Sequence, residues 1–289
     1  MATDRTNKQI KLKDWRMLGY GEYGAPDGKP VFYFHGHPGS RLDWLLFDAD
    51  DSAMELNARI IAVDRPGTGL SDFKPDREIL DWPDDVLELA DVLQLDRFAV
   101  IGISGGGPYA AACAFKLPGR LTATAIVCGM GPSEAPGAKE GMSWIYAGKT
   151  PEERRQMLMG MASLIRENPD QLVSQMKQAP FPELDKVLMD QAGLSKMIVD
   201  LTFGEALQSG IDGLDQDAAL YARPWGFQLQ DITAEVYLWH GEPDINVPVS
   251  VGRYVADAIP NCHATFFPDE GHFSIARNHI REILNIMVA

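Results

Sequence analysis

The sequence predicts an α/β fold with a mostly parallel, doubly wound sheet. Short apolar segments alternate along the chain with segments whose apolar residues recur at helical spacing. The short segments are continuously apolar, which is typical of strands that helices cover on both faces. Three of them run directly into glycine-containing loops at residues 36–40, 64–71 and 102–106. Because the carboxyl ends of parallel strands meet at one edge of the sheet, we expect these loops to lie together and to form the functional site.

The elements before residue 132 follow one another in a βα order. Weak alternation over residues 9–20 indicates a hairpin at an edge of the sheet. Continuous apolar residues predict strands, and apolar residues on one helical face predict helices. The predicted strands cover residues 31–34, 59–63, 98–101 and 122–128, and the predicted helices cover residues 41–56, 82–95 and 108–117.

Residues 133–228 interrupt this order, because they contain no convincing strand. The segment is rich in methionine, which suits either an adaptable core or a lid over an apolar pocket. Its position beside the predicted site loops favours a lid. Helices are predicted over residues 151–166, 169–178, 182–190, 193–208 and 213–221.

The βα order resumes after the interruption. Strands are predicted at residues 234–240 and 263–267, and helices at residues 248–258 and 274–287. We therefore predict an α/β core domain formed by residues 1–132 and 229–289, with residues 133–228 inserted as a helical cap.

The composition is that of a soluble globular enzyme and limits the classes of partner. Of the 289 residues, 45% are hydrophobic and 23% are charged, and the net charge is −15. Such a surface repels nucleic-acid phosphates and anionic lipid head groups, so we expect neither nucleic acid nor membrane as a partner. A small-molecule substrate is the expected partner, and the oligomeric state is left open.

Cysteine usage and the first residues predict a cytoplasmic protein. Cys113, Cys128 and Cys262 form no Cys-x-x-Cys motif, and their odd number suits a reducing compartment. Residues 1–15 are polar and charged, without the apolar stretch of a signal peptide. No apolar run is long enough to span a bilayer.

Ser104 is the candidate nucleophile. It lies in a Gly-x-Ser-x-Gly motif, residues 102–106, between a predicted strand and a predicted helix. A serine on such a tight elbow is placed to act as a nucleophile, and the glycines let the chain turn without steric clash. The helix N-terminus beneath it favours a developing oxyanion. A glycine-rich turn of another α/β fold is the alternative interpretation of the pentapeptide alone.

His272 and Asp244 complete a candidate catalytic group. A serine hydroxyl needs a base to accept its proton, and the base needs an acid that orients it. Both residues follow predicted strands, so both fall on the same sheet edge as Ser104. The order Ser, Asp, His along the chain is the order expected for this elbow.

Other residues of the same types have simpler interpretations. Glu242 and Asp269 compete with Asp244 for the role of the acid, and each is more simply a solvated loop carboxylate. Positions in strands, in a helix and in a turn favour structural roles for the other histidines, which are His35, His37, His240, His263 and His279.

Two backbone N–H groups are predicted to bind the oxyanion of an acyl-transfer intermediate. One belongs to Gly105, directly after the nucleophile, and the other to His37, in the loop after the predicted strand 31–34. A tight turn without catalytic function is the alternative interpretation of residues 36–39. No role in proton transfer is assigned to the His37 side chain.

Together these motifs resemble those of the α/β-hydrolase superfamily. The resemblance rests on residues 35–39, 64–71, 102–106, 240–244 and 271–272, which read HGHPG, DRPGTGLS, GISGG, HGEPD and GH. It is to the serine-nucleophile branch with an HG-x-P oxyanion loop and a helical cap, and it covers about residues 10–132 and 229–289. It implies the α/β-hydrolase fold and a hydrolase, but no particular substrate, because the superfamily hosts many reactions.

Several members of the superfamily differ from this chain. Haloalkane dehalogenases and epoxide hydrolases of this branch have aspartate where this chain has Ser104. Proline iminopeptidases usually have glycine where this chain has His37. Lid-bearing lipases tend to be secreted and to have a more apolar surface.

No metal or other cofactor is expected, because the chain has no Cys/His metal spacing, phosphate loop or dinucleotide fingerprint. Three hypotheses for the function follow. The first is a serine hydrolase that cleaves a small to medium hydrophobic carboxylic ester or lactone through an acyl-enzyme on Ser104. Carbon–carbon bond hydrolysis or cofactor-free perhydrolysis by the same residues is the second. A small-molecule receptor with a vestigial hydrolase site is the third.

The predicted cap contains seven aromatic residues. They favour a hydrophobic substrate if they line the pocket, and otherwise they pack the cap itself. They are Trp144, Tyr146, Phe181, Phe203, Tyr221, Trp225 and Phe227.

Overall fold

One eight-stranded sheet organises the residues that the computed structural model describes, which are 4–141, 150–191 and 193–289. Its strands are β1 (Lys8–Lys11), β2 (Met17–Gly24), β3 (Lys29–Phe34), β4 (Ala58–Val63), β5 (Phe98–Ile103), β6 (Leu121–Val127), β7 (Val236–Gly241) and β8 (Cys262–Phe267). Across the sheet their order is β1-β2-β4-β3-β5-β6-β7-β8. β2 is antiparallel to β1 and to β4, and the other neighbouring pairs are parallel. The predicted sheet, with its hairpin at one edge, is confirmed.

Helices cover both faces of this sheet. In the described residues they are α1 (Asp50–Glu55), α2 (Trp82–Val92), α3 (Gly107–Lys116), α4 (Pro151–Glu167), α5 (Pro169–Gln178), α6 (Glu183–Met189), α7 (Leu194–Met197), α8 (Asp212–Tyr221), α9 (Val249–Ala258) and α10 (Ser274–Met287). Helices α1 and α10 pack on one face, and α2, α3 and α9 pack on the other. Alternate residues of β3 point to the two faces of the sheet. Val31 and Tyr33 pack in the core on the α1 and α10 face, and Phe32 and Phe34 pack in the core on the opposite face.

We call residues 133–228 the helical insertion. Its described residues contain α4 to α8, and four of these helices match their predicted ranges to within one residue at each end. The helix predicted over 193–208 differs, because α7 widens into a π-helix at Ile198–Gly204. The helix predicted over 41–56 is also interrupted. Asp48, with a φ of 51°, separates a 3₁₀ helix at Arg41–Phe47 from α1.

The described residues contain no helix that combines the length and the apolar character needed to cross a membrane. The three cysteines carry free thiols. Those of Cys113 and Cys128 are buried in the core, and Cys262 is partly buried.

Candidate active site

Ser104 lies on a tight turn between β5 and α3. A single 3₁₀ turn, Ser104–Gly106, begins directly after β5 and leads into α3. The φ angle of Ser104 is 54°, a left-handed conformation that non-glycine residues rarely adopt. A Cβ atom on Gly102 would lie 2.3 Å from the Gly106 carbonyl oxygen, and one on Gly106 would lie 2.2 Å from the Phe34 carbonyl oxygen. The close approach of β3, β5 and the turn therefore requires both glycines of the motif.

A continuous hydrogen-bonded relay joins Ser104, His272 and Asp244. Ser104 Oγ lies 3.0 Å from His272 Nε2, and His272 Nδ1 lies 2.8 Å from Asp244 Oδ2. The three residues follow β5, β8 and β7, so they meet at the carboxyl edge of the sheet. All three are buried. The structure thus brings together the three side chains selected from the sequence.

Asp244 fixes the protonation of the His272 ring. Its Oδ1 atom accepts hydrogen bonds from the backbone N–H groups of Asn246 and Val247, and its Oδ2 atom faces His272 Nδ1. A carboxylate in this position keeps a proton on Nδ1 and leaves Nε2 free to accept the Ser104 hydroxyl proton. Burial lowers the pKa of His272, but the Asp244 charge raises it, and the net pKa lies well above its ordinary value.

The competing acids and three of the other histidines make none of the hydrogen bonds of this relay, although His240 Nε2 lies 3.7 Å from Asp244 Oδ2. Glu242 forms an ion pair with a surface arginine, and Asp269 is exposed. His240 is buried and its Nε2–H donates to a backbone carbonyl oxygen at 2.8 Å. His263 and His279 pair with glutamates. Among these five residues, none has a hydrogen bond to Ser104.

The two predicted oxyanion donors lie side by side at the nucleophile. If Gly105 carried a Cβ atom, that atom would lie 3.1 Å from the His37 backbone nitrogen, so the two residues are in close contact. The same loop passes Ser104 closely, since a Cβ atom on Gly36 would lie 3.9 Å from Ser104 Oγ. The His37 side chain is buried, with its Nδ1 3.7 Å from Asp217 Oδ2. Burial lowers the pKa of this ring, so the loop presents backbone groups rather than a titrating side chain.

Arg65 holds the carbonyl oxygens of this loop. Its guanidinium donates to the carbonyl oxygens of His35 at 2.5 Å and of Gly36 at 2.7 Å. The Arg65 backbone N–H donates to His35 Nε2 at 3.2 Å, so the ring proton is on Nδ1, which donates to the Gly36 carbonyl oxygen at 2.9 Å. Burial lowers the pKa of His35 well below its ordinary value, which keeps this neutral tautomer.

A buried charge cluster behind the loop joins the helical insertion to the sheet. Asp217 of α8 accepts hydrogen bonds from Arg65 Nε at 2.8 Å, from Tyr109 Oη at 2.6 Å and from Arg77. Arg77 also donates to Tyr109 Oη at 2.9 Å. Burial raises the pKa of Asp217, but the two guanidinium groups hold it well below its ordinary range. Asp217 is therefore a carboxylate enclosed by its partners.

Asp185 of α6 binds the loop that carries His272. Its Oδ2 atom accepts the His272 backbone N–H at 2.9 Å. Its Oδ1 atom accepts those of Phe273 at 3.1 Å and Ser274 at 2.8 Å. A Cβ atom on Gly271 would lie 2.3 Å from Asp185 Oδ2, so only glycine fits beside the carboxylate. Neither Asp185 nor Asp217 was selected from the sequence, although both hold loops of the site.

The sequence profile of the alpha/beta hydrolase family matches residues 31–283. The chain belongs to this family. The matched residues run from β3 into α10 and include Ser104, Asp244 and His272.

Individual relatives agree with this membership. A non-heme chloroperoxidase of Streptomyces lividans is 34% identical over 128 residues, which are 43% of this chain and 45% of that protein. The chain thus spans less than half of that relative's length. A bifunctional esterase/perhydrolase of Acinetobacter calcoaceticus is 23% identical over 269 residues, 91% of this chain and 92% of that protein. An esterase of Thermogutta terrifontis has a similar fold, with a TM-score of 0.69 at 22% identity over 98% of this chain and 100% of that chain.

In this alpha/beta hydrolase a largely apolar cavity of about 230 Å³ lies beside Ser104 and His272. Its walls come from the loop after β3, the start of α10 and the helical insertion. The insertion contributes Leu188, Met189, Leu194, Ile198, Thr202 and Phe203. Such a cavity accommodates an apolar group next to the nucleophile.

The aromatic residues of the insertion divide between this cavity and the core. Phe203 lines the cavity, and Phe181 packs against Phe273, which also lines it. Tyr221, Trp225 and Phe227 pack in the core of the α3 face instead. The expectation for Trp144 and Tyr146 falls outside the described residues.

Asp43 brings a buried carboxyl group to the cavity wall. It lies in the 3₁₀ helix Arg41–Phe47, and its Oδ1 atom accepts the Ser40 backbone N–H at 3.2 Å. Burial raises the pKa of Asp43 to about 8. The neutral acid is therefore favoured at pH 7. The spacing Ser40-x-x-Asp43 is that of a capping box, which the structure forms, but this pattern does not predict the burial of Asp43.

Asp43 is expected to make the protein less stable as the pH rises. The folded chain binds the carboxyl proton more tightly than the unfolded chain does. This contribution to stability is complete below about pH 4 and is lost as the pH rises through the folded pKa of about 8. The uncharged side chain of Asp43→Asn imitates the neutral acid, so the variant should not lose this stability as the pH rises. At pH 9 its free energy of unfolding should exceed that of the wild type by a few kcal/mol. Urea unfolding of both proteins at pH 5 and pH 9 measures the difference, and equal pH dependence would contradict it.

One group of potential metal ligands is found in the described part of the chain. Ligand atoms of Cys128, Asp244 and His272 lie within 4.8 Å of one another. Asp244 and His272 already form a hydrogen bond with each other in the relay. Burial raises the pKa of the Cys128 thiol, which disfavours the thiolate that a metal ion binds. We therefore assign no resident metal to this group.

Proposed function

We propose that the protein is a serine hydrolase that cleaves small to medium-sized hydrophobic carboxylic esters or lactones through an acyl-enzyme on Ser104. The observation that carries this proposal is the relay from Ser104 Oγ to His272 Nε2 at 3.0 Å and from His272 Nδ1 to Asp244 Oδ2 at 2.8 Å. Both distances are those of hydrogen bonds that transfer and hold a proton during nucleophilic attack.

Each step of the proposed reaction uses a group of this site. Ser104 Oγ attacks the carbonyl carbon while His272 Nε2 accepts its proton, and the oxyanion forms at the N–H groups of His37 and Gly105. His272 then donates that proton to the leaving alcohol oxygen, and the carbon–oxygen bond breaks. A water molecule attacks the acyl-enzyme with His272 as base, and the carboxylic acid leaves as Ser104 regains its proton.

The shape and chemistry of the cavity support the proposed substrate class. Its walls beside Ser104 are mostly apolar, so they favour a hydrophobic acyl or alcohol group. Residues 133–228 are proposed as a cap, because the insertion supplies side chains from α6, α7 and the π-helix to this wall. The similar fold of an esterase is compatible with ester cleavage as the reaction.

Perhydrolysis is a second candidate activity of the same site. It is favoured by the similarity to the bifunctional esterase/perhydrolase, which extends over 91% of this chain. In this reaction hydrogen peroxide replaces water as the nucleophile that attacks the acyl-enzyme, and a peracid leaves instead of an acid. Nothing else in the sequence of steps changes.

The proposal is tested with p-nitrophenyl esters of increasing acyl length and a fluorophosphonate that labels nucleophilic serines. We expect turnover to peak at a short or medium acyl chain, and one label per chain on the peptide that contains Ser104. Peracid formation from methyl acetate and hydrogen peroxide, with methanol as the leaving alcohol, measures the second activity. Label on another residue, or ester turnover that survives full labelling of Ser104, would contradict the proposal. A protein that is labelled on Ser104 but inactive on esters would favour carbon–carbon hydrolysis, and one that is neither labelled nor active would favour a receptor.

A further inference from the structure

We propose that helix α8 of the insertion holds both oxyanion donors in position, with Asp217 and Tyr221 as its two positioning residues. The inference rests on the proposed function, because it concerns the same oxyanion. It goes beyond that function in assigning part of the catalytic geometry to a helix of the insertion that supplies none of the reacting groups.

The first donor is held through the Gly36–His37 peptide. This peptide is trans, so its carbonyl oxygen and its N–H point in opposite directions. The Gly36 carbonyl oxygen accepts hydrogen bonds from Arg65 Nη2 at 2.7 Å and from His35 Nδ1 at 2.9 Å. Holding the oxygen on one side sets the direction of the His37 N–H on the other. Arg65 therefore orients a donor without touching the reacting atoms.

Asp217 in turn holds Arg65. The carboxylate accepts Arg65 Nε at 2.8 Å, while the two terminal nitrogens of the same guanidinium reach the loop. The ring of Tyr109 lies 4.9 Å from the guanidinium carbon, and its hydroxyl also binds Asp217. A planar guanidinium fixed at one edge has little freedom at the other. The position of Asp217 on α8 therefore sets the position of the loop.

The second donor, the N–H of Gly105, is held from both sides. On the N-terminal side, the Ser104 carbonyl oxygen accepts the Met130 backbone N–H at 2.9 Å, which directs the Gly105 N–H the opposite way. On the C-terminal side, Tyr221 Oη donates to the Gly105 carbonyl oxygen at 3.0 Å. Tyr221 is fully buried, and its ring packs against that of His37 at 5.4 Å. One side chain thus contacts both donor residues.

Asp217 and Tyr221 act from one face of one helix. They are four residues apart on α8 and so lie one above the other. The start of α8 is pressed onto the loop after β4, because a Cβ atom on Gly213 would lie 2.2 Å from the Gly67 carbonyl oxygen. Ser209 Oγ also donates to that oxygen, at 3.1 Å. The helix is therefore seated on the loop that supplies Arg65.

The test separates positioning from packing by comparing matched variants. Tyr221→Phe and Asp217→Asn are compared with Tyr23→Phe and Asp85→Asn. Tyr23 is a buried tyrosine that also donates to a carbonyl oxygen at 3.0 Å, and Asp85 is a buried aspartate that accepts two hydrogen bonds from an arginine. For each protein we measure kcat and KM for a p-nitrophenyl ester, thermal unfolding, and binding of an aryl trifluoromethyl ketone and of the matching alcohol. The ketone forms an oxyanion on serine, and the alcohol does not.

We expect Tyr221→Phe and Asp217→Asn to lower kcat by about tenfold or more at nearly unchanged KM, since small displacements of donors have large effects on rate. Binding of the ketone should weaken by the same factor, and binding of the alcohol should not change. The control variants should lose stability without losing kcat. If Asp217→Asn does not fold, Tyr221→Phe still decides.

Two results would overturn the inference while leaving the proposed function intact. One is Ser104-dependent turnover that is unchanged in Tyr221→Phe, and the other is a loss that appears only in KM and equally in alcohol binding. A wild-type protein that neither turns over esters nor binds the ketone through Ser104 would overturn the proposed function, and the inference with it.

Discussion

The Asp244→Asn variant is expected to lose about 10⁴-fold in kcat for ester hydrolysis, with KM nearly unchanged. The N–H groups of Asn246 and Val247 require an acceptor, so the amide oxygen of the new side chain takes the place of Oδ1. The amide NH₂ group then faces His272 Nδ1 and donates to it. The ring proton moves to Nε2, which can no longer accept the proton of Ser104.

The pH profile of the same variant gives a second readout. The base must be neutral, and Asp244 raises the pKa of His272, so removing its charge should move the acid limb of kcat/KM to lower pH. Glu242→Gln is the control, because Glu242 forms only a surface ion pair, and it should change kcat by less than about twofold. If Glu242→Gln abolishes turnover and Asp244→Asn does not, the acid is wrongly assigned.

A double variant tests whether the three residues act as one unit. Ser104→Ala alone should lower kcat by about 10⁶-fold, and adding Asp244→Asn should lower it no further. The reason is that Asp244 works only through the proton that Ser104 gives to His272. Multiplicative losses would show that Asp244 has an effect independent of the nucleophile.

The relay was predictable because each of its members follows a strand of one parallel sheet. β5 and β7 are buried along nearly their whole length, which identifies central strands of such a sheet, whereas β8 is a largely exposed edge strand. The βα order places β8 in the same sheet, and parallel pairing brings the ends of β5, β7 and β8 to one edge. Ser104, Asp244 and His272 are 28 to 168 positions apart in sequence, yet topology alone places them together. The position of the predicted oxyanion loop follows from the same argument applied to β3.

The supports of the site were not predictable in this way. Asp217 and Asp185 lie on helices of the insertion, 152 and 87 positions from Arg65 and His272, and no rule of sheet topology brings them there. A signal exists nonetheless. Asp217 lies between Leu214 and Ala218 on the buried stripe of α8, where an unpaired charge would be strongly unfavourable. A carboxylate at an apolar position of a helix predicts a buried partner, but not which one.

Local backbone irregularities were also beyond sequence patterns. Apolar spacing over residues 41–56 is compatible with one helix, but the left-handed Asp48 breaks it into two short pieces. The first piece brings Asp43 to the cavity wall. In the insertion, the π-helix Ile198–Gly204 likewise contributes Ile198, Thr202 and Phe203 to the cavity. Helical periodicity does not resolve such deviations, because tertiary packing decides between α, 3₁₀ and π hydrogen bonding.

Asp185→Ala is expected to lower the free energy of unfolding by about 3 kcal/mol or more, because it leaves two buried backbone N–H groups and one partly buried N–H group without an acceptor. The same hydrogen bonds fix the loop before α10. We therefore also expect kcat to fall by about ten- to a hundredfold, because His272 is no longer held in its position relative to Ser104. Asp185→Asn should be intermediate, since an amide oxygen at Oδ1 retains the bonds from Phe273 and Ser274 while its NH₂ group opposes the His272 N–H.

Urea unfolding and ester kinetics on the same samples separate the two effects. Asp190→Ala, at an exposed position just after the same helix, is the control and should change stability by less than about 0.5 kcal/mol. An Asp185→Ala protein as stable as the control would show that water or another group replaces the carboxylate. A destabilised but fully active variant would show that the relay keeps its geometry without α6. Loss of both properties would place a residue of the insertion, distant in sequence from the nucleophile, among the groups that hold the catalytic base.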